Sequence, residues 1–297
     1  MNSSSVVGLR LEDLSVRYPQ SSENALDRIT LEIRGGGITA LAGPNGCGKT
    51  TLLRAASGVM APVSGRAVCA GQDRPIHRLP PERRARLLAV VPQMAGLPSG
   101  FTVEEAVMMG RISFHGWFRS ESAADREAVS RAIAAVGLDG LAHTSVEKLS
   151  GGMQQRALIA RALAQEASIL LMDEPTAHLD VRYQLDTFEL LRSFAHGHGF
   201  AVAVAMHDLN LVSRFADRVI LLARGRVAHD GPPRAVMTAG ILSPLFDHPM
   251  HVIPHPLHGY PLILSDGGGR NSKAEVRGAV RRRAGAAEDF RRIKGSG

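Results

Sequence analysis

Apolar positions in this chain fall into short runs separated by glycine turns, and the spacing within the runs changes along the sequence. Leu9, Leu11, Leu14 and Val16 alternate with polar residues, and residues 25–33 alternate again before the turn Gly35-Gly36-Gly37. A period of two predicts half-buried strands, here antiparallel ones. The next runs are continuous: Ile38-Thr39-Ala40-Leu41-Ala42, residues 87–91, residues 168–172, residues 200–206 and residues 218–222. Continuous runs of this length predict strands buried on both faces, as in an open α/β sheet. The last of them turns at Arg224-Gly225-Arg226 into Val227-Ala228-His229. From about Met94 to Gln165 the period becomes helical, through Val103, Val107, Val129, Ile133 and Val136. Helices are also predicted over 52–57, closed by Gly58, and over 185–194.

The turn after Ala42 changes the picture from architecture to chemistry. Gly43-Pro44-Asn45-Gly46-Cys47-Gly48-Lys49-Thr50-Thr51 lies between a strand and a helix with the spacing G-x-x-x-x-G-K-T. In that context the glycines let backbone N–H groups curl around a triphosphate, and the helix N-terminus adds a favourable dipole. Lys49 is placed for the β/γ-phosphates and the Thr50 hydroxyl for Mg²⁺. Other strands end in polar residues: Gln93, the pair Asp173-Glu174, and His207. Adjacent carboxylates at a buried strand tip are costly unless they hold a cation or act chemically. Ligands of an open α/β sheet gather outside the carboxyl ends of its strands, so these residues are expected to converge on the loop.

Composition removes several classes. Of the 297 residues 44% are hydrophobic, but no apolar run approaches the roughly 18 residues of a membrane span. Met1-Asn2-Ser3-Ser4-Ser5 lacks the basic start and apolar core of a secretory signal, and Cys47 and Cys69 form no disulfide framework. The net charge of +7 is concentrated at the end: residues 267–297 hold nine Lys/Arg against three Asp/Glu, which leaves the body near neutral. That tail, rich in Gly, Ala and Arg, is expected to be disordered. The expected organisation is a body of 7–266, with core segments 7–93 and 166–266 around a helical subdomain of 94–165, followed by the tail of 267–297.

A second glycine pair completes the set. Leu149-Ser150-Gly151-Gly152-Met153-Gln154-Gln155-Arg156 opens a helix with Ser150 as a natural N-cap, which by itself is only a capped helix. With the phosphate loop, Gln93, Asp173-Glu174, Ala177-His178-Leu179-Asp180 and His207 in this order, the chain resembles the ATP-binding cassette (ABC) transporter ATPases from about residue 9 to 264. The resemblance implies an α/β P-loop NTPase core with an antiparallel β subdomain and an inserted α-helical subdomain, using ATP and Mg²⁺. It also implies roles. Tyr18, otherwise a strand-end aromatic, would stack on adenine, and Gly43 to Thr51 would hold the phosphates. Gln93 would touch Mg²⁺ and sense a membrane partner, Asp173 would hold Mg²⁺, Glu174 would polarise the attacking water, and His207 would contact the γ-phosphate. Ser150, Gly151 and Gly152 would touch ATP bound on the opposite subunit, with Asp180 on the dimer seam. Met153 departs from the Gln often found there, which puts a polar contact near the nucleotide in doubt. Cys47 is expected to be a buried small side chain.

Finer segments narrow the resemblance. Gly110-Arg111, His115-Gly116-Trp117-Phe118, residues 125–129, His207-Asp208-Leu209-Asn210 and Leu257-His258-Gly259-Tyr260-Pro261 are similar to the iron-siderophore importer ATPases, and haem and cobalamin importers share much of them. The implied assembly is a homodimer at the cytoplasmic face of the plasma (inner) membrane, peripheral to it, under an integral permease that is served by an extracytoplasmic substrate-binding protein. The alternative class is a soluble ABC ATPase acting on nucleic acid. One phosphate loop and the short span from Gln93 to Ser150 argue against it, the basic tail alone argues for it, and no specific nucleic-acid partner is expected.

Overall fold

The computed structural model describes residues 8–93, 96–115, 121–177 and 179–265. The expected tail of 267–297, residues 116–118 of the importer-like segment, and His178 lie outside the described residues. β1 (Leu9–Val16) and β2 (Leu26–Ile33) pair antiparallel, and β1 also pairs with a later strand, β4 (Ser64–Cys69), to form a three-stranded sheet. Leu11 and Leu14 are three residues apart yet both fully buried. The register shift between them explains this: Asp13 takes a left-handed φ of 49° and donates its N–H to Thr30 Oγ1, and the extra residue returns Leu14 and Val16 to the apolar face. Gly65 lies under this bulge, where a Cβ would overlap the Asp13 carbonyl.

The central sheet begins with β3 (Gly37–Ala42), which leads through the phosphate loop into α1 (Lys49–Ala56). After β4 come α2 (Pro81–Leu87) and β5 (Leu88–Val91). Helices then follow one another: α3 (Val103–Met108), α4 (Ile112–His115), α5 (Ala123–Ala135) and α6 (Gly151–Leu163). Capping boxes open α3 at Thr102/Glu105 and α5 at Ser122/Asp125. The chain returns through β6 (Ile169–Asp173), α7 (Val181–His198), β7 (Ala201–Ala205), α8 (Leu209–Phe215) and the hairpin of β8 (Arg218–Ala223) and β9 (Arg226–Gly231). Two short helices, α9 (Pro233–Val236) and α10 (Ala239–Phe246), precede a last hairpin of β10 (Met250–Pro254) and β11 (Pro261–Ser265).

The central strands lie in the order β5-β6-β7-β3-β8-β9, parallel except for the β8–β9 pair. Every residue of β6 and β7 is buried, as expected of strands covered on both faces. Successive residues face opposite ways, so the sheet divides two cores. Leu41, Leu171, Ala203 and Ile220 join α1 and the three-stranded sheet, whereas Ala40, Leu170, Val202 and Val219 join α6, α7 and α8. The helix α7 is longer than the 185–194 expected from periodicity. It starts behind Asp180 and stops at Gly199, whose φ of 73° ends it. Among the described residues no helix is long and apolar enough to cross a membrane.

Candidate functional site

The phosphate loop is shaped by glycines at positive φ: Gly43 at 146°, Gly46 at 75° and Gly48 at 108°. Gly43 is required twice over, because a Cβ there would overlap the Leu222 carbonyl and come within 2.9 Å of Cys47 Sγ. Lys49 is buried, and its Nζ donates to the Gly43 carbonyl at 2.9 Å and the Pro44 carbonyl at 3.3 Å, so the loop wraps a cation. The N-cap of α1 is Gly48, which offers no side chain to the free N–H groups of the first turn, and no acidic residue stands there. An uncapped helix start beside a buried ammonium fits a polyphosphate. Asn45 and Gly46 form the exposed rim. Tyr18, half exposed after β1, shares a hydrogen bond of 3.0 Å with Thr51 Oγ1, which ties the ring to the first turn of α1.

Beside the loop, Asp173 ends β6 with its side chain buried. Burial pushes its carboxyl above the usual carboxylate range, and a hydrogen bond with Thr50 pulls the other way. A hydroxyl and a carboxylate side by side are hard oxygen donors suited to Mg²⁺. Cys47 and Cys69 are buried free thiols; burial raises both, Cys69 to about 11, so neither is a reactive thiolate.

Glu174 stands one residue beyond, in a left-handed backbone with φ 48° that costs a non-glycine residue about 1–3 kcal/mol. A bond from its N–H to the Ala205 carbonyl at 3.0 Å holds the turn. Glu174 Oε2 accepts from Gln93 Nε2 at 2.8 Å and lies 3.4 Å from His207 Nδ1. Three strand ends far apart in sequence thus meet on one carboxylate oxygen. They line a cleft of about 240 Å³ with Thr176, Gln184 and Asp208. Gln93 touches Glu174 here, and no bond joins it to Thr50 or Asp173.

The second glycine pair lies elsewhere. Ser150 caps α6 by accepting from the Met153 N–H at 3.4 Å, and Ser150 and Gly151 are exposed. Gly152 is buried because the Tyr183 ring occupies the place of a Cβ. Met153 is partly buried against the larger core. Asp180 is exposed at the N-cap of α7 with no side-chain cap bond. The phosphate loop and Ser150 belong to helices on opposite faces of the sheet, α1 and α6, and are not brought together within the chain. Two polar cleft residues carry no motif of their own in the sequence, Thr176 and Gln184, which bond to each other through Gln184 Nε2 and the Thr176 carbonyl. Their one signal was position, just past Asp173-Glu174.

A parallel sheet with a glycine loop clasping a lysine after β3, and carboxylates at the tip of β6 on the far side of β7, defines a P-loop nucleoside triphosphatase. Comparison with known proteins gives the branch: residues 26–177 match the ABC transporter family. Over 260 residues the chain is 38% identical to the ferric enterobactin transport ATP-binding protein FepC of Escherichia coli K12, covering 88% of this chain and 94% of that one. Over 239 residues it is 43% identical to the hemin import ATP-binding protein HmuV of Streptomyces coelicolor, covering 80% and 84%. The dimeric structure of the ABC transporter cassette MJ0796 superposes with a TM-score of 0.64 at 28% identity, over 75% of this chain and 98% of that one. The chain belongs to the ABC transporter family, as an ATP-binding ATPase subunit.

Proposed function

We propose that the chain is the ATP-hydrolysing subunit of an importer for ferric-siderophore-type iron complexes. Two copies work head to tail as a peripheral homodimer at the cytoplasmic face of the inner membrane. They drive an integral permease that receives cargo from an extracytoplasmic binding protein. The observation that carries the hydrolytic reading is the meeting of Gln93, Glu174 and His207 on one carboxylate oxygen. The cargo reading is supported by the ferric enterobactin relative, which matches more of the chain than the hemin relative does. The higher identity of the hemin relative keeps haem as the second reading.

In this reading Lys49 and the amides of residues 43–51 hold the β- and γ-phosphates, and Tyr18 packs on the base. Thr50 and Asp173 would hold Mg²⁺ with Gln93 nearby; when bound, the ion neutralises charge developing on the phosphate oxygens. Glu174 orients the attacking water and takes up its proton. His207 contacts the γ-phosphate beside it, and Gln93 links their arrangement to the permease. Ser150, Gly151 and Gly152 of the second copy close over the γ-phosphate, with Asp180 on the seam. Catalysis of this kind is positioning and charge stabilisation.

Glu174→Gln keeps the shape of the side chain and its bond to Gln93 while removing the base. ATP binding should persist in the assembled transporter while turnover falls by at least about 100-fold, the lower end of a general base's contribution. Near-normal hydrolysis would show that the base is assigned wrongly. For the cargo, the associated binding protein should bind ferric siderophores; binding of haem alone would overturn the siderophore reading. Salt-sensitive RNA binding by the full chain, lost when 267–297 are removed, would favour a nucleic-acid role instead.

A further inference from the structure

Two importer-like segments of the sequence, residues 207–210 and 257–261, are joined in the fold. Asp208 Oδ1 accepts from the N–H groups of Asn210 and Leu211 at 2.9 and 3.0 Å, so α8 starts immediately after His207. On the other side the Met206 N–H donates to the Leu41 carbonyl at 2.9 Å. The His207 backbone is therefore fixed by the end of β7 and by the first turn of α8, and its ring goes where α8 points it.

The last hairpin orients α8 from one side, while Val212 and Phe215 pack into the core on the other, with Phe215 stacked on Phe188 of α7. Asn210 Nδ2 donates to the Ile263 carbonyl at 3.1 Å, and Asn210 Oδ1 accepts from the Ile263 N–H at 2.8 Å. The side-chain amide thus behaves as one more strand residue on the edge of β11 that β10 leaves free. One turn on, Ser213 Oγ donates to the Pro261 carbonyl. Leu211, Val212 and Ile263 belong to the same apolar core beneath these bonds. The two polar contacts tie the rotation of this seven-residue helix to the hairpin, in addition to its packing in the core.

We propose that Asn210 is a positioning residue for His207, and that through it the β10–β11 hairpin sets the geometry of the hydrolysis site. This rests on the reading of His207 given above. Asn210 is exposed although its two bonds to Ile263 are part-buried, and a hydrogen bond of this kind contributes only modestly to net stability. Its loss therefore leaves the fold intact and loosens the register of the first turn of α8 on the hairpin.

The test uses the full chain assembled with its permease. Asn210→Ala should lower kcat about tenfold with KM for ATP within about twofold, because a small misplacement of a reacting group costs rate rather than binding. It should also shift the His207 ring signals in the NMR spectrum of histidine-labelled protein. In a His207→Ala background the same change should cost almost nothing further, since residues that act as a unit are not additive. Unchanged kcat in Asn210→Ala, or the same fall with His207 already absent, overturns the proposal. Normal turnover of His207→Ala alone instead overturns the reading of His207, and the proposal with it. If Asn210→Ala does not fold, Ser213→Ala must show a smaller fall of the same kind, and an unchanged kcat there is equally fatal.

Discussion

Asp173 is held above the ordinary carboxylate range by burial, with Thr50 offsetting part of the shift. A carboxyl raised in the folded state favours its protonated form, so its contribution to stability is present at low pH and lost as pH rises through the raised value. At neutral pH the charge therefore works against the fold until a cation meets it. Asp173→Asn should raise the melting temperature of the nucleotide-free chain near pH 7. Close to pH 4 the gain should vanish, and the variant should lose the extra stabilisation that Mg²⁺ adds over ATP alone; scanning calorimetry measures all three. This residue was legible in the sequence because an acid at the end of an apolar run demands a partner. Asn210 was not, because its partner lies 53 residues away and nothing local marks the pairing.

The two glycines that open α6 answer to different constraints. A Cβ on Gly151 meets Leu179 Cδ2 at an ordinary 3.8 Å, whereas one on Gly152 would enter the Tyr183 ring. Gly152→Ala should therefore destabilise the chain by about 1–3 kcal/mol by pushing α6 off α7, while Gly151→Ala should leave denaturant stability unchanged or slightly raised. If residue 151 faces ATP on a second copy, its variant should lose hydrolysis at normal stability. Equal losses of stability in both variants would contradict this division. The sequence showed the pair of glycines but not the reason for the second, since Tyr183 lies at the start of α7, a turn too polar to extend the apolar pattern beyond 185–194. The β10–β11 hairpin is hard to read from the sequence for a similar reason: its strands are short, proline-bounded and half-buried, and they pack on α8 instead of showing a clean alternation. The five long apolar runs, by contrast, all became central strands, because burial on both faces leaves no room for polar residues.

The central sheet keeps α1 and α6 on opposite faces, so a chain cannot fold its own Ser150 over its own phosphate loop without breaking both cores. Glu174→Gln should accordingly become dimeric with ATP and monomeric without it, as judged by light scattering during gel filtration. Adding Ser150→Arg should keep it monomeric at saturating ATP. A monomer that hydrolyses ATP at the full rate would contradict the arrangement.

The same division has a genetic consequence. Suppose one allele encodes Lys49→Ala and another Ser150→Ala, each inactive alone. In a mixed dimer one site joins both lesions, and the other joins the sound loop of one chain to the sound Ser150 of its partner. A cell carrying both alleles should then recover uptake that neither allele supports by itself.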